Sequence, residues 1–271
     1  MSTFESDSEQ LLVEQHDRVL LLTLNRPEAR NALSDDITGN LRRAVAWAAQ
    51  DANVGAVVLT GVGTAFCAGG DVKGMGQRNA GSSASHQQQY ATMVARHKEL
   101  AGAMYALRKP TLAALPGAAA GAGLSLALSC DIRVAAASAF LTTAYARIGL
   151  SGDYGIAWLL TRVVGPARAR ELMLTADRVP AERALDIGLV NQVVADTDLQ
   201  SAALAYAQRL AAGPPVAMQY MKDNLDEALS VDHNTAIERE ADRLLKARST
   251  EDHKEAVRAF AEKRSPVFTG R

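Results

Sequence analysis

Twenty-one consecutive residues, Pro110–Cys130, carry no charge. A run of that length either crosses a bilayer or lies buried inside a protein. Its content decides between the two. Pro116, Gly117, Gly121 and Gly123 interrupt it, and its bulk is Ala, Ser and Thr rather than Leu, Ile or Phe. These breakers predict a buried strand over Thr111–Leu115, a turn at Pro116-Gly117 and a small-residue helix over Gly121–Ser129, rather than a membrane span.

The same strand-and-helix alternation runs on either side. Leu11–Glu14 and Val19–Leu24 read as strands joined by a tight turn at His16-Asp17, and Asn25-Arg26-Pro27-Glu28 ends the second, because Pro cannot continue a ladder. Ser34 caps a helix running to about Gln50, with Ile37, Leu41, Val45 and Ala48 on one face. Val54–Thr60 is a β-branched apolar run, as in a strand covered on both faces. A short extended piece follows at Thr64–Cys67. Residues 74–90, rich in Gly, Ser and Gln, predict a loop or lid, then a helix to about Arg108. Asp131–Ala135 and Phe140–Thr142 are further strands. From Tyr154 the pattern is helical, over 154–163, 166–174, 181–187, 198–211, 214–228, 232–247 and 250–262, with Ser249 and Asp252 resembling a capping box before the last. The fold class is therefore α/β. Residues 1–10 are expected to be flexible, 11–197 to form the α/β core, and 198–271 a helical tail.

A chain of 271 residues allows one or two domains. Lys and Arg number 29 against 30 Asp and Glu, so the basic excess of a bulk nucleic-acid binder is missing, although a local anion site is not excluded. Two cysteines, Cys67 and Cys130, cannot make a disulfide framework and have no Cys or His partner at metal-ligand spacing, so no metal is expected. The start of the chain is polar and acidic, without a basic and then apolar leader. A cytoplasmic setting is the simplest expectation.

Two turns carry candidate chemistry. In Phe66-Cys67-Ala68-Gly69-Gly70-Asp71, two glycines and an Asp follow an extended piece, which leaves backbone N–H groups unpaired. The plain alternative is a strand-to-helix turn capped by Asp71. In Gly117-Ala118-Ala119-Ala120-Gly121-Ala122-Gly123 a strand ends and a helix begins among small residues, as suits an oxygen anion at a helix N-terminus or, equally, close helix packing. If the two turns meet, one N–H from each forms an oxyanion hole. The spacing alone leaves that open. Gly123-Leu124-Ser125-Leu126-Ala127 is one residue from a nucleophile elbow, with Asp153 and His233 or His253 in suitable chain order, but its third small position is Ala and Ser125 falls inside a helix. Asp153 alone reads as a helix N-cap. His86 and His97 read as solvated residues flanking the lid, Cys67 and Cys130 as small buried hydrophobes, and Trp47 and Trp158 as helical core. Gly61-Val62-Gly63 lacks the third glycine of a dinucleotide fingerprint.

The stretch Asn25-Arg26-Pro27-Glu28-Ala29-Arg30-Asn31-Ala32-Leu33 resembles the entrance motif of the crotonase superfamily, the enoyl-CoA hydratase/isomerase family. Phe66–Asp71 and Gly117–Asp131 resemble its two oxyanion motifs. Gly165–Ala167, Leu174–Asp177 with Gly188–Val190, and Phe260–Arg264 resemble its later landmarks, in order, from about residue 11 to 271. The resemblance implies a spiral of ββα turns with a C-terminal helical trimerisation region, an acyl-CoA thioester substrate and a homo-trimer or dimer of trimers. Coenzyme A is then part of the substrate, and no separate cofactor, nucleic acid or membrane partner is implied.

By position, the family's oxyanion amides fall on Gly70 and Ala122. Arg26, Arg30 and Lys73 are the cations implied for the CoA phosphates, with Lys263 arriving from a neighbouring subunit. Ala32, Ala68, Asp71, Val72, Gly117, Ser125 and Tyr145 are implied to line the same site. The two glutamates of a hydratase fall on Ser125 and Tyr145, neither of which is a carboxylate, and this departs from the hydration pattern. Asp153 occupies the loop where isomerase branches keep a single acid. It is expected in an apolar pocket with a raised pKa. The Ala119–Ala127 stretch, Trp158-Leu159-Leu160 and the ending Lys263-Arg264-Ser265-Pro266 resemble the ring-1,2-epoxyphenylacetyl-CoA isomerase branch. The implied activity is isomerisation of an enoyl-CoA type double bond. Enoyl-CoA hydration and non-catalytic acyl-CoA binding are the alternatives.

Overall fold

A computed structural model describes residues 4–71 and 84–271. The hairpin β1 (Leu11–His16) and β2 (Val19–Leu24) opens the chain, and β2 is buried along its whole length, so it must be covered on both faces. The turn falls at Asp17-Arg18, one residue beyond the expected place, with Asp17 in the left-handed region (φ 53°). The strands that follow come in pairs: β3 (Ala56–Gly61) and β4 (Ala65–Cys67), β5 (Thr111–Leu115) and β6 (Ala118–Ala120), β7 (Ile132–Ala136) and β8 (Phe140–Thr142). The first of each pair joins a six-stranded sheet of order β1-β2-β3-β5-β7-β10, closed by β10 (Gln192–Val194). The second joins a four-stranded sheet of order β4-β6-β8-β9, closed by β9 (Val179–Pro180). Each pair runs on into helix, so the chain winds as a spiral of ββα turns, as expected.

The helix Asp35–Gln50 begins where Ser34 predicts. Its Oγ accepts the Ile37 N–H at 3.1 Å, and Ile37, Leu41, Val45 and Ala48 turn into the core. The helix Ala122–Ser129 is buried all round, which explains its lack of any amphipathic stripe. The expected pair of helices around residue 165 is present: the helical span Ile156–Thr175 is two helices meeting at a kink at Gly165, where φ 78° and ψ 165° are not helical and Pro166 follows. The helix Leu199–Ala211 lays a stripe of Leu199, Ala203, Ala207 and Ala211 against the large sheet. The sheet's helical cover thus extends past residue 197, and the residues left bare lie further on. Phe260 is 87% exposed, and Leu225, Leu229, Leu244, Leu245, Val257 and Val267 are exposed beside it in the sequence of C-terminal helices.

Three expectations need correction. Residues 4–10 are anchored rather than loose: Phe4 packs against Trp47, the Asp7 N–H donates to Asn40 Oδ1 at 3.0 Å, and Arg43 pairs with Asp7. Helix begins at His86, inside the stretch read as loop, because Ser85 and Gln88 form a capping box. The last helix, Glu251–Glu262, is capped by Thr250, not Ser249. The carboxylate of Asp252 instead accepts the Thr269 and Gly270 N–H groups at 2.7 and 2.9 Å.

Two features fix the depth of the site. Asn31, buried and left-handed (φ 57°), accepts the Arg26 N–H and donates to Val62 O and Ala65 O, riveting the Asn25–Leu33 segment to β4. Gly123 packs so closely that an added Cβ would stand 2.4 Å from Cys67 O and 2.6 Å from Cys67 Cβ. Gly123→Ala is therefore expected to lower stability by about 1–3 kcal/mol through overpacking, read as a lower denaturant midpoint at unchanged slope. A wild-type midpoint in that variant contradicts such close packing.

Candidate active site

The first turn follows β4. The Leu33 N–H donates to Gly69 O at 2.8 Å and the Asp71 N–H to Leu33 O at 3.3 Å, so the peptide groups flanking Gly70 face Leu33. Successive amides along an extended segment point to opposite sides. The Gly69 carbonyl and the Gly70 N–H belong to one trans peptide and point in opposite directions, so the Gly70 N–H is turned away from Leu33.

The second turn follows β6. Gly121 holds φ 51° and ψ −124°, a conformation open to glycine, while its N–H donates to Thr142 O at 3.1 Å. Ala122 is the first helical residue, and its N–H has no carbonyl one turn back to pair with. A Cβ built on Gly69 would stand 3.7 Å from Ala122 N, which brings the leading amide of one turn to the border of the other. Gly117 serves packing: a Cβ there would fall 1.9 Å from Thr64 O.

A polar cluster lies along the same helix. Ser125, one turn after Ala122 and wholly buried, has its Oγ 3.2 Å from Tyr145 Oη, 3.2 Å from Gly121 O and 3.4 Å from Asp153 O. Tyr145 donates its hydroxyl to Asp153 Oδ1 at 2.5 Å. With that proton committed, Ser125 can only donate to the phenol oxygen. Among the described residues, the partners of Ser125 Oγ are Gly121 O, Tyr145 Oη and Asp153 O and include no histidine, so the nucleophile-elbow reading finds no support. The N-cap reading of Asp153 is also corrected. Gly155 precedes the first helical residue, and the Ile156 N–H takes the Asp153 carbonyl at 3.0 Å, leaving the carboxylate free of that task.

Burial holds the Asp153 carboxyl above its ordinary range, against the Tyr145 hydroxyl bond and the nearby His97 imidazole, which both favour the anion. Burial and then the Asp153 charge push the Tyr145 phenol up. Burial pushes the Cys67 thiol to about 12, so it stays an inert thiol. Among the described residues, no group of three or more His, Cys, Asp or Glu could hold a metal.

The expected cations fall into place unevenly. Arg26 donates to Asp71 Oδ2 at 2.9 Å and to Ala32 O at 3.4 Å, which gathers Arg26, Ala32 and Asp71 beside Gly70. The Ala68 N–H donates to Arg30 O at 2.9 Å, setting exposed Ala68 and the exposed, left-handed Arg30 on that same rim. Val72 and Lys73, and most of the expected lid, lie outside the described residues. Lys263 ends the Glu251–Glu262 helix in the left-handed region, exposed, and its N–H donates to Phe260 O; the hydrogen bonds that knit the site do not reach it among the described residues.

Three aromatic side chains near the acid differ from expectation. His97 is not a freely solvated residue. It is half-buried, its ring centroid is 4.0 Å from that of Tyr154, and its Nδ1 accepts the Tyr154 N–H at 3.4 Å. Trp158 is 45% exposed rather than core, with Arg162 over its face at 3.5 Å and Tyr105 edge-on at 5.1 Å. Tyr154, which reads in the sequence only as a helix start, packs beside the acid. Nothing in the spacing of residues 97 and 154 signals their contact.

The raised Asp153 pKa has a consequence for stability. The folded state holds its proton more tightly than the unfolded chain does, so stability falls as pH rises from the unfolded value near 4 through the folded one. Asp153→Asn removes that loss and keeps an oxygen to accept from Tyr145. Its melting temperature is expected to match or exceed the wild type's at neutral pH, with the gap closing below about pH 4. A markedly lower melting temperature at neutral pH contradicts desolvation as the dominant effect on this carboxyl.

Comparison with known proteins gives this geometry a family. The sequence model of the enoyl-CoA hydratase/isomerase family matches residues 14–271. The 1,2-epoxyphenylacetyl-CoA isomerase of Escherichia coli K12 is 36% identical over 253 residues, covering 93% of this chain and 95% of that protein. The short-chain-enoyl-CoA hydratase of Clostridium acetobutylicum is 34% identical, covering 94% and 95%. The crystal structure of an enoyl-CoA hydratase from Polaromonas sp. JS666 superposes with a TM-score of 0.88 at 34% identity, covering 95% of this chain and 99% of that one. With a two-sheet ββα spiral and a match over nearly its whole length, the chain belongs to the enoyl-CoA hydratase/isomerase family, the crotonase superfamily.

Proposed function

We propose that this protein isomerises the double bond of an enoyl-CoA thioester, with Asp153 as its one base and acid and the Gly70 and Ala122 amides holding the thioester oxygen. The observation that carries this reading is the state of Asp153. Its carboxylate is half-buried, raised in pKa, held by Tyr145 and excused from capping the helix behind it. Relatives named as an isomerase and as a hydratase match over similar lengths, so names alone favour neither activity. The residues at the two hydratase positions do: Ser125 and Tyr145 offer no second carboxylate to activate and protonate around one water.

The chemistry closes with one carboxylate. Asp153 removes a proton from C2 of a 3-enoyl thioester, and the electron pair delocalises onto the carbonyl oxygen as an enolate. The protonated Asp153 returns the same proton to C4, and the double bond moves from C3–C4 to C2–C3. Two amides at a developing oxyanion are worth about 3–4 kcal/mol of barrier each. Tyr145 donates to the ionised acid and so keeps a fraction of it deprotonated against the pull of burial. Arg26, Arg30, Lys73 and Lys263 are the cations this reading assigns to the CoA phosphates. Ala32, Ala68, Asp71, Val72, Gly117, Ser125 and Tyr145 line or shape the same site.

The test is turnover of a 3-enoyl-CoA such as 3-hexenoyl-CoA, read as growth of the conjugated thioester absorbance. Asp153→Asn is expected to lose about 10²–10⁴-fold in kcat while acyl-CoA binding stays near wild type. Undiminished turnover in that variant removes Asp153 from the mechanism. Water-dependent loss of a 2-enoyl absorbance, without isomerisation, favours hydration instead. Tight binding with no turnover of any enoyl-CoA favours a binding protein.

The same reading includes assembly of three copies through the C-terminal helices. The exposed Leu225, Leu229, Leu244, Leu245, Val257 and Phe260 support it, since apolar surface of that extent is costly to leave in water. Sedimentation velocity is expected to give a species three or six times the 28.7 kDa chain. A monomer at micromolar concentration rejects this part of the reading.

A further inference from the structure

The loop that carries Asp153 is held in an unusual backbone conformation. Gly152 (φ 128°), Tyr154 (φ 49°) and Gly155 (φ 77°) all have positive φ within four residues. The glycines adopt this readily, but for a bulky aromatic residue it is a strained conformation that persists only when its surroundings enforce it. Side chains grip the loop from two sides. On one, Tyr145 holds the Asp153 carboxylate and Ser125 Oγ reaches the Asp153 carbonyl at 3.4 Å. From the other, His97 accepts the Tyr154 N–H at Nδ1, with its ring packed on the Tyr154 ring at 4.0 Å and tilted by 32°.

His97 sits at a special place in its own helix. It is the last residue of the α-helix His86–His97, and the next five, Lys98–Gly102, form a π-helical turn before α-helix resumes at Ala103–Ala106. Such widened turns are rare and re-aim side chains, often beside functional sites. Leu100 and Ala101 are buried below it, which fixes the turn against the core.

We propose that His97 is a positioning residue whose neutral imidazole, accepting the Tyr154 N–H at Nδ1, holds the 151–155 loop in its strained form and so aims the Asp153 carboxylate. This rests on the assignment of Asp153 as the base. An Nδ1 that accepts a hydrogen bond puts the ring proton on Nε2. A second proton takes the lone pair of Nδ1, and the bond to Tyr154 is lost.

The surroundings favour the neutral ring. Burial holds the His97 pKa below its usual value, with only the Asp153 charge acting the other way. Arg96 and Lys98 flank it on its own segment, with Arg96 paired to Asp35. Arg42, from the Asp35–Gln50 helix packed against this turn, pairs with Glu99 at 3.7 Å. Arg42 and Arg96 also reach the field of the Tyr154 phenol. The Ala122–Ser129 helix on the inner side brings no charge.

The test compares His97→Asn, whose Oδ1 can stand where Nδ1 stands, with His97→Phe, which keeps a ring but accepts nothing. With 3-hexenoyl-CoA, His97→Phe is expected to lose on the order of tenfold to hundredfold in kcat with KM within about twofold, and His97→Asn to recover most of the loss. Hydrogen–deuterium exchange of the peptide spanning 150–156 reads the loop without any turnover. Protection is expected in the wild type and in His97→Asn, and loss of protection in His97→Phe. In the wild type that protection, corrected for intrinsic exchange rate, falls as pH drops through the His97 pKa, and in His97→Asn it does not. Equal exchange in the wild type and His97→Phe overturns the proposal, as does equal impairment of the two variants. If His97→Phe fails to fold, the pH dependence of exchange in the wild type against His97→Asn decides the matter: a difference supports the proposal, and identical profiles overturn it. Retained turnover in Asp153→Asn removes the base but leaves the exchange result to judge the hold of His97 on the loop.

Discussion

The carbonyl of Cys67 and the α-carbon of Gly123 approach too closely for any side chain at residue 123. That contact sets how near the end of β4 lies to the start of the helix behind β6. A methyl group at residue 123 would wedge the two strand-to-helix turns apart, and one at 117 would push the start of β6 away from Thr64, at the start of β4. The pairing of the Gly70 and Ala122 amides that we propose depends on this closeness, because a Cβ built on Gly69 would stand only 3.7 Å from Ala122 N. The parallel pairing of β4 with β6 then carries this geometry into the small sheet. Asp153 comes from the next turn of the spiral, by way of the strand β8 that pairs with β6 and the short turn that follows it.

The division between the two sheets explains how one fold can hold a rigid frame beside variable loops. The inner strands β2, β3 and β5 of the large sheet are buried along nearly their whole length and give the frame. The small sheet is three residues deep at most strands and ends in loops. Residues that follow it, such as Asp153 and Tyr145 after β8, can differ without disturbing the frame. A carboxylate pair can become Ser125 and Tyr145, and the polar cluster stays fully hydrogen-bonded because each donor finds an acceptor.

Much of this is legible in the residues. Thr111–Leu115 and Phe140–Thr142 appear as strands with the bounds their apolar runs suggest, and Ser34 caps the helix it precedes. The break at Gly165-Pro166 shows in the sequence as a glycine and proline inside a helical pattern. What escapes a sequence reading is decided by contacts distant along the chain. His97 looks solvated beside polar residues, yet the fold sets it against Tyr154, 57 residues later. Trp158 looks like core on a helical face but meets Arg162 and Tyr105 at the surface. Residues 4–10 look loose for want of apolar content, and a single ring, Phe4 on Trp47, with a few side-chain hydrogen bonds ties them down. Thr250 rather than Ser249 caps the last helix, a choice of one residue that propensity cannot make.

The chain holds only two tryptophans, and their surroundings differ. Trp47 lies under the N-terminal anchor, against Phe4. Trp158 follows Asp153 by five residues, on the helix that the acid's loop enters, half in water and beneath a guanidinium. Indole emission responds to changes of solvent and charge at its ring, so the protein carries its own optical gauge of that loop. Replacing Trp47 with phenylalanine leaves a single indole, whose emission, excited beyond the absorbance of the six tyrosines, reports the helix entrance without a dye or a label.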